Sequence, residues 1–150
     1  KTGAVKLTGS PEYETKASYA FTVVATDAAG NATEQAVTLA INNLDEVAPT
    51  IDSGDTAAAI DENSGAGQVV YQATSTDTDD VSDGVSYRLK PDNQDDAAAF
   101  SIDTSTGDVT LIGDPDHEVQ SSYAFTVVAT DAAGNATEQA VTLAINNLDR

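Results

Sequence analysis

SYAFTVVATDAAGN occupies Ser18–Asn31 and recurs without change at Ser122–Asn135. The identity extends through ATEQAVTLAINNLD, so Ser18–Asp45 and Ser122–Asp149 are the same at every position, at an offset of 122 − 18 = 104 residues. Upstream, KTGAVKLTGSPEYE (Lys1–Glu14) aligns with STGDVTLIGDPDHE (Ser105–Glu118) at the same offset. A period near 100 residues is too long for a solenoid and matches one domain. The chain therefore reads as the back half of one repeat, residues 1–45, followed by one complete repeat, residues 46–150. As an array cut within a unit, it reads as a piece of a larger protein.

The repeated stretch alternates with a period of two. Tyr19, Phe21, Val23 and Ala25 fall on one face, and Ala20, Thr22, Val24 and Thr26 on the other. Val37, Leu39 and Ile41 share a face, as do Val69, Tyr71 and Ala73; Tyr87 and Leu89, Phe100 and Ile102, and Val109 and Leu111 continue the pattern. Such Val- and Thr-rich alternation predicts half-buried strands. The diverged copies agree: Val5/Val109 and Leu7/Leu111 match, while Ala4/Asp108, Lys6/Thr110 and Thr8/Ile112 differ. Substitution at alternate residues is the mark of one buried and one wet face. DAAGN predicts a hairpin turn with Gly30 and Asn31 in left-handed conformations, and Pro49 marks the boundary between repeats. Helical spacing is absent. About seven short antiparallel strands in roughly 105 residues predict an all-β, immunoglobulin-like Greek-key sandwich in a tandem array. There is no Cys…Trp…Cys signature, so it is not a true immunoglobulin domain.

The formal charge of −19, with six Lys and Arg among 150 residues, excludes the basic patch that nucleic acid or an anionic membrane surface requires. Carboxylates at this density repel one another, and a cation is their natural partner. Cysteine is absent, so neither disulfides nor thiolate metal sites occur. No apolar run reaches membrane-spanning length and no signal peptide opens the chain.

The carboxylates gather at predicted strand ends: Glu12 and Glu14; Asp45 and Glu46; Asp61 and Glu62; Asp77, Asp79 and Asp80; Asp116 and Glu118; Asp131. In an extended chain the members of a DxD or ExE pair point the same way, about 7 Å apart. Calcium takes six to eight oxygens at about 2.4 Å and accepts irregular loops, whereas magnesium demands a strict octahedron. Zinc prefers imidazole or thiolate, and His117 is the only histidine. An EF-hand is excluded, because counting from Asp77 puts Val81 at position five and Arg88 at position twelve.

Five segments together resemble the cadherin repeat, in the bacterial cadherin-like (CADG-type) version found in large RTX-type surface adhesins. IDENSGAGQVV (Ile60–Val70) resembles the Glu-Asn motif, and ATSTDTDD (Ala73–Asp80) the Asp-x-Asp motif. FSIDTSTGDVTL (Phe100–Leu111) resembles the middle strands. PEYE (Pro11–Glu14) and PDHE (Pro115–Glu118) resemble the Asp-Arg-Glu motif, and NLDEVAP (Asn43–Pro49) the acidic linker. The resemblance implies calcium between successive repeats. One junction would take Glu12, Glu14, Asn43, Asp45, Glu46, the Val47 carbonyl, Asp77, Asp79 and Asp131, with Asp83 or a nearby carbonyl. Glu62, Asp116, Glu118, Asn147 and Asp149 would form half of the next, where Arg150 stands at the place of Glu46. The linker is shorter in Asp and Asn than the family's, which implies fewer ions. The implied role is a rigidified spacer or adhesion module of an extracellular, cell-surface bacterial protein, whose partners are its neighbouring repeats.

Other readings compete. Asp77–Asp80 fits a solvated acidic loop, and the NAT sequons at Asn31 and Asn135 matter only in a eukaryotic secreted protein. Paired carboxylates serve glycosidases, but these sit at domain ends with no expected pocket and no Ser/His/Asp set, so no enzyme is expected. A polysaccharide-binding module is the alternative; it lacks Trp, and the Tyr and Phe fall mostly on core faces. Residues 46–103 can complete a sandwich with either back half, and shorter loop closure favours 105–149. Residues 1–45 are then expected to be disordered, self-associated with a neighbour's copy, or strand-swapped into another chain.

Overall fold

The computed structural model describes residues 1–78, 84–91 and 94–148. It forms two compact units, Lys1–Leu44 and Asp45–Arg150. The first unit is not disordered. It holds an antiparallel hairpin of β1 (Ser18–Thr26) and β2 (Ala32–Ala40), paired from Ser18↔Ala40 to Thr26↔Ala32.

The second unit contains the same hairpin in the same register. It is built of β10 (Ser122–Asp131) and β11 (Ala136–Asn146), paired from Ser122↔Ala144 to Thr130↔Ala136. The other strands are β3 (Thr50–Ile51), β4 (Ile60–Asp61), β5 (Gln68–Gln72), β6 (Ser75–Thr76), β7 (Val85–Leu89), β8 (Phe100–Ile102) and β9 (Asp108–Leu111). They form a four-stranded sheet ordered β4-β11-β10-β7, a three-stranded sheet ordered β5-β9-β8, and a short β3-β6 pair. The long strands pair antiparallel, while β4 joins β11 in parallel. The contiguous pairing, residues 46–103 with 105–149, is the one adopted.

The core lies between the two sheets. Phe125, Val127, Val141 and Leu143, at most 1% exposed, meet Val109, Leu111, Phe100 and Tyr71. The Phe125 ring lies 4.6 Å from Phe100 and 5.8 Å from Tyr71, centre to centre. Burying one such side chain contributes about 2–3 kcal/mol, with roughly 1 kcal/mol more for an aromatic pair.

Two local expectations need correction. Val69 does not share the buried face of Tyr71 and Ala73: it is 57% exposed, while Val70 is buried. A β-bulge between Val69 and Tyr71 shifts the register against β9, and one extra residue turns every side chain before it to the other face. In the DAAGN turns, Gly30 (φ 92°) and Gly134 (φ 96°) are left-handed, but neither Asn31 nor Asn135 is. Those asparagines act through their side chains.

Candidate metal centre

β10 carries Asp131 at its last residue, where DAAGN turns the chain into β11. The Asp131 carboxylate receives the Asn135 backbone N–H at 2.9 Å on Oδ1 and the Asn135 side-chain amide at 3.0 Å on Oδ2. The same amide donates to the Asp45 carbonyl at 2.9 Å, tying the acidic segment to the hairpin. Asp45 bends that segment locally by accepting the Val47 N–H at 3.1 Å. Asp77, just beyond β6, completes the group with both carboxylate oxygens shielded from solvent. One oxygen from each of Asp45, Asp77 and Asp131 lies within 4.8 Å of the others. Asp45 is 9% and Asp131 5% exposed.

A second cluster lies beyond the start of β10. Glu62 follows β4 and is 3% exposed. Its carboxylate accepts the Leu148 N–H at 2.6 Å and the His117 N–H at 3.2 Å. Asp116 and Glu118 sit in the turn before β10, where Asp116 Oδ1 accepts the Glu118 N–H at 3.0 Å. Glu62, Asp116 and Glu118 each bring an oxygen within 4.8 Å of the others. A hydrogen bond shared with Glu62, then lost solvation, then repulsion from the Glu62 charge hold the Glu118 carboxyl above its usual value. The ten residues of β10, at about 3.3 Å each, separate the two clusters, so the sandwich carries carboxylates at both poles.

Both donor sets fit a hard cation. They offer carboxylate oxygen only, and oxygens on a shell about 2.4 Å from one ion are at most about 4.8 Å apart. Three carboxylates held this close repel one another, and a cation among them offsets that repulsion.

The other expected site residues fall as follows. Glu12 and Glu14 lie exposed in the first unit, in a turn closed by Lys16 N–H to the Glu12 carbonyl at 2.9 Å. Its counterpart turn has Gln120 N–H to the Asp116 carbonyl, also at 2.9 Å. Asn43 is half-buried in the first unit; Glu46 and Asn147 are exposed in the second. Asp79, Asp83 and Asp149 lie outside the described residues. Asn135 was missed as a functional residue. Its place at the end of a turn that begins with a candidate ligand was the available signal. The rings of Tyr71, Tyr87, Phe100 and Phe125 are buried, so they form no platform for a polysaccharide. No helix among the described residues is long and apolar enough to cross a membrane.

Comparison with known proteins agrees with this architecture. Mouse protocadherin Fat 2 is 33% identical over 133 residues, covering 87% of this chain and 3% of that protein. Human cadherin-23 is 31% identical over 131 residues, covering 87% of this chain and 4% of that protein. The chain thus spans a small fraction of the curated relatives it matches. Among solved structures, the protocadherin gammaB7 EC3-6 cis-dimer aligns with a TM-score of 0.62 at 22% identity, over 90% of this chain and 34% of that one. Mouse clustered PcdhgC3 EC1-3 aligns at 0.63 and 18%, over 94% and 46%. At those identities the likeness concerns the fold. The sequence profile of the cadherin domain matches residues 56–146. The chain belongs to the cadherin domain family, whose extracellular modules serve adhesion and are not enzymes.

Proposed function

We propose that residues 46–150 are a complete cadherin repeat stiffened by calcium, that residues 1–45 are the back half of a preceding repeat, and that the chain is a spacer and adhesion module of a long surface protein. The observation that carries this is the pair of carboxylate clusters at opposite poles of one sandwich. Asp45, Asp77 and Asp131 hold an ion at one pole, joined by Asp79 from the same DxD segment. Glu12, Glu14, Asn43, Glu46 and the Val47 carbonyl belong to this junction by the order of motifs. Glu62, Asp116 and Glu118 hold the other ion, with Asn147 and Asp149 from the next linker. Calcium supplies the positive charge that lets like charges stay close. The residues themselves hold the carboxylates in place through the hydrogen bonds from Asn135 to Asp131, from Val47 to Asp45, and from His117 and Leu148 to Glu62. Clamping successive repeats turns a flexible string into a rod.

A bacterial surface adhesin as the parent rests on the unchanged duplication alone; the relatives named above are animal proteins. Calorimetric calcium titration of the chain tests the proposal. Asp131→Asn and Glu62→Gln each remove binding at one pole. At calcium about a hundredfold above Kd, the ion adds about 2.7 kcal/mol, or roughly 10 °C in Tm for a domain of this size. A Tm and scattering profile unchanged by chelator would defeat it.

A further inference from the structure

In the second unit, residues 55–62 lie beside β11 and run parallel to it. Thr142 N–H donates to the Asp55 carbonyl at 3.0 Å and Ala57 N–H to the Thr142 carbonyl at 2.9 Å, closing a parallel bridge at Thr56↔Thr142. Further along, β4 meets β11 at Ile60↔Ile145 and Asp61↔Asn146, and Glu62 N–H donates to the Asn146 carbonyl at 3.1 Å. Side chains extend this seam: Asn146 Nδ2 donates to Asp61 Oδ1 at 2.9 Å, and Leu148 N–H to Glu62 Oε1 at 2.6 Å. From bridge to β4 one strand advances 60 − 56 = 4 residues while β11 advances 145 − 142 = 3. The extra residue divides the seam into two blocks. Each block is anchored in the core, the first by Ala57 at 5% exposure and the second by Ile145 at 4%.

The chain enters and leaves this unit at opposite poles. Asp45 is tied by its carbonyl to the Asn135 amide, at the DAAGN turn where β11 begins. Leu148 follows the far end of β11, beside Glu62. Tension between the two ends therefore draws residues 55–62 toward the turn and β11 away from it. Parallel strands loaded in this way slide along each other, and the bonds between them must fail together. Pulled apart at one pole, the same bonds would open in turn, each carrying the whole force alone. The pairs ahead of the seam, Thr50↔Thr76 and Ile51↔Ser75, join strands of two residues and form a much shorter contact.

We propose that the seam between residues 55–62 and β11 is the tension-bearing element of the repeat, and that it sets the force at which the sandwich gives way. The inference rests on the spacer reading for its purpose, but its test rests on backbone bonds alone. The measurement is therefore made in chelator, where a failure of calcium binding cannot imitate a failure of the seam. Cysteine is absent from the chain, so introduced thiols place the handles of a single-molecule force experiment on the whole chain. Val47→Cys with Arg150→Cys loads the seam end to end; Val47→Cys with Ala133→Cys pulls at one pole. The end-to-end pair should rupture at about twice the force of the one-pole pair or more, since forced unfolding reads the unfolding barrier along the loaded path. Ala57→Pro deletes a seam donor and should lower the end-to-end force toward the one-pole value. Asn146→Ala, at an exposed position, should lower the end-to-end force by a smaller step. Glu138→Gln removes the Lys90–Glu138 pair at 3.1 Å, which lies outside the seam, and should leave it unchanged. Equal forces in the two geometries would overturn the proposal, and that comparison stands even where Ala57→Pro does not fold. Losses of the same fraction in both geometries for Asn146→Ala would also overturn it, as they would mark a general loss of stability.

Discussion

The side-chain amide of Asn135 bridges the Asp45 carbonyl at 2.9 Å and Asp131 Oδ2 at 3.0 Å. A single residue thus joins the linker entering the second unit to the turn that ends β10, and holds two candidate ligands in register. Its twin Asn31 bonds Asp27 Oδ2 at 2.9 Å on an exposed turn. Asn135→Ala should cost the second unit about 1–2 kcal/mol, because a half-buried carbonyl loses its donor. It should also weaken calcium binding at that pole. Asn31→Ala should do neither. Denaturant melts with and without calcium check both arms.

Phe21 and Phe125 are the same residue in the same local sequence, so replacing each by alanine isolates the effect of coverage. Phe125→Ala opens a cavity in a closed core and should lower stability by about 3–5 kcal/mol. Phe21→Ala removes a half-buried ring and should leave the second unit's unfolding free energy, read from its urea midpoint, within about 0.5 kcal/mol of wild type. Equal effects on that midpoint would contradict the division of the chain into two units.

Much of the fold was legible because period-two alternation is local. The Tyr123–Ala129 and Val141–Ile145 faces are set by neighbours two residues away, and the duplication displayed the repeat length directly. Features that depend on distant partners were not legible. Val70 replaces Val69 in the core because β5 bulges against β9, a relation invisible within QVVYQ. Ala4–Leu7 carries the alternation of β9 and forms no strand, since a strand needs neighbours to hydrogen-bond. The carboxylates stood out by type and by placement at strand ends. Asn135 did not, because its bond to Asp45 crosses 90 positions. Glu62 was expected at the second junction, but its burial to 3% follows from backbone donors at His117 and Leu148.

Gly107 offers a second internal comparison. Its φ is +78°, and a Cβ there would stand 2.5 Å from the Ala73 carbonyl oxygen. That oxygen belongs to backbone, and Ala73 N–H is itself bonded to the Gly107 carbonyl at 2.9 Å. Gly107→Ala should therefore cost roughly 3 kcal/mol from backbone strain and overlap together. At Gly3, the matching position, an added Cβ would meet nothing within 4 Å, and Gly3→Ala should be neutral in the same thermal melt.

Two carboxylates give the ion-free protein opposite slopes of stability against pH. Backbone N–H groups of Thr106 and Ser105 hold Asp103 below its ordinary value of 3.8. Its contribution is therefore present above that value and is lost as pH falls through the lowered folded one. Glu118 lies above its ordinary 4.5, held there first by the hydrogen bond shared with Glu62. Its contribution is complete below 4.5 and is lost as pH rises through the raised folded value, when Glu118 ionises beside Glu62. Urea midpoints measured in chelator from about pH 2 to pH 7 should rise and then decline. Asp103→Asn flattens the acid limb, and Glu118→Gln removes the decline. Saturating calcium should also remove that decline, since an ion at the Glu62 pole favours the charged form. A decline that survives both Glu118→Gln and calcium would assign it to carboxylates elsewhere in the chain.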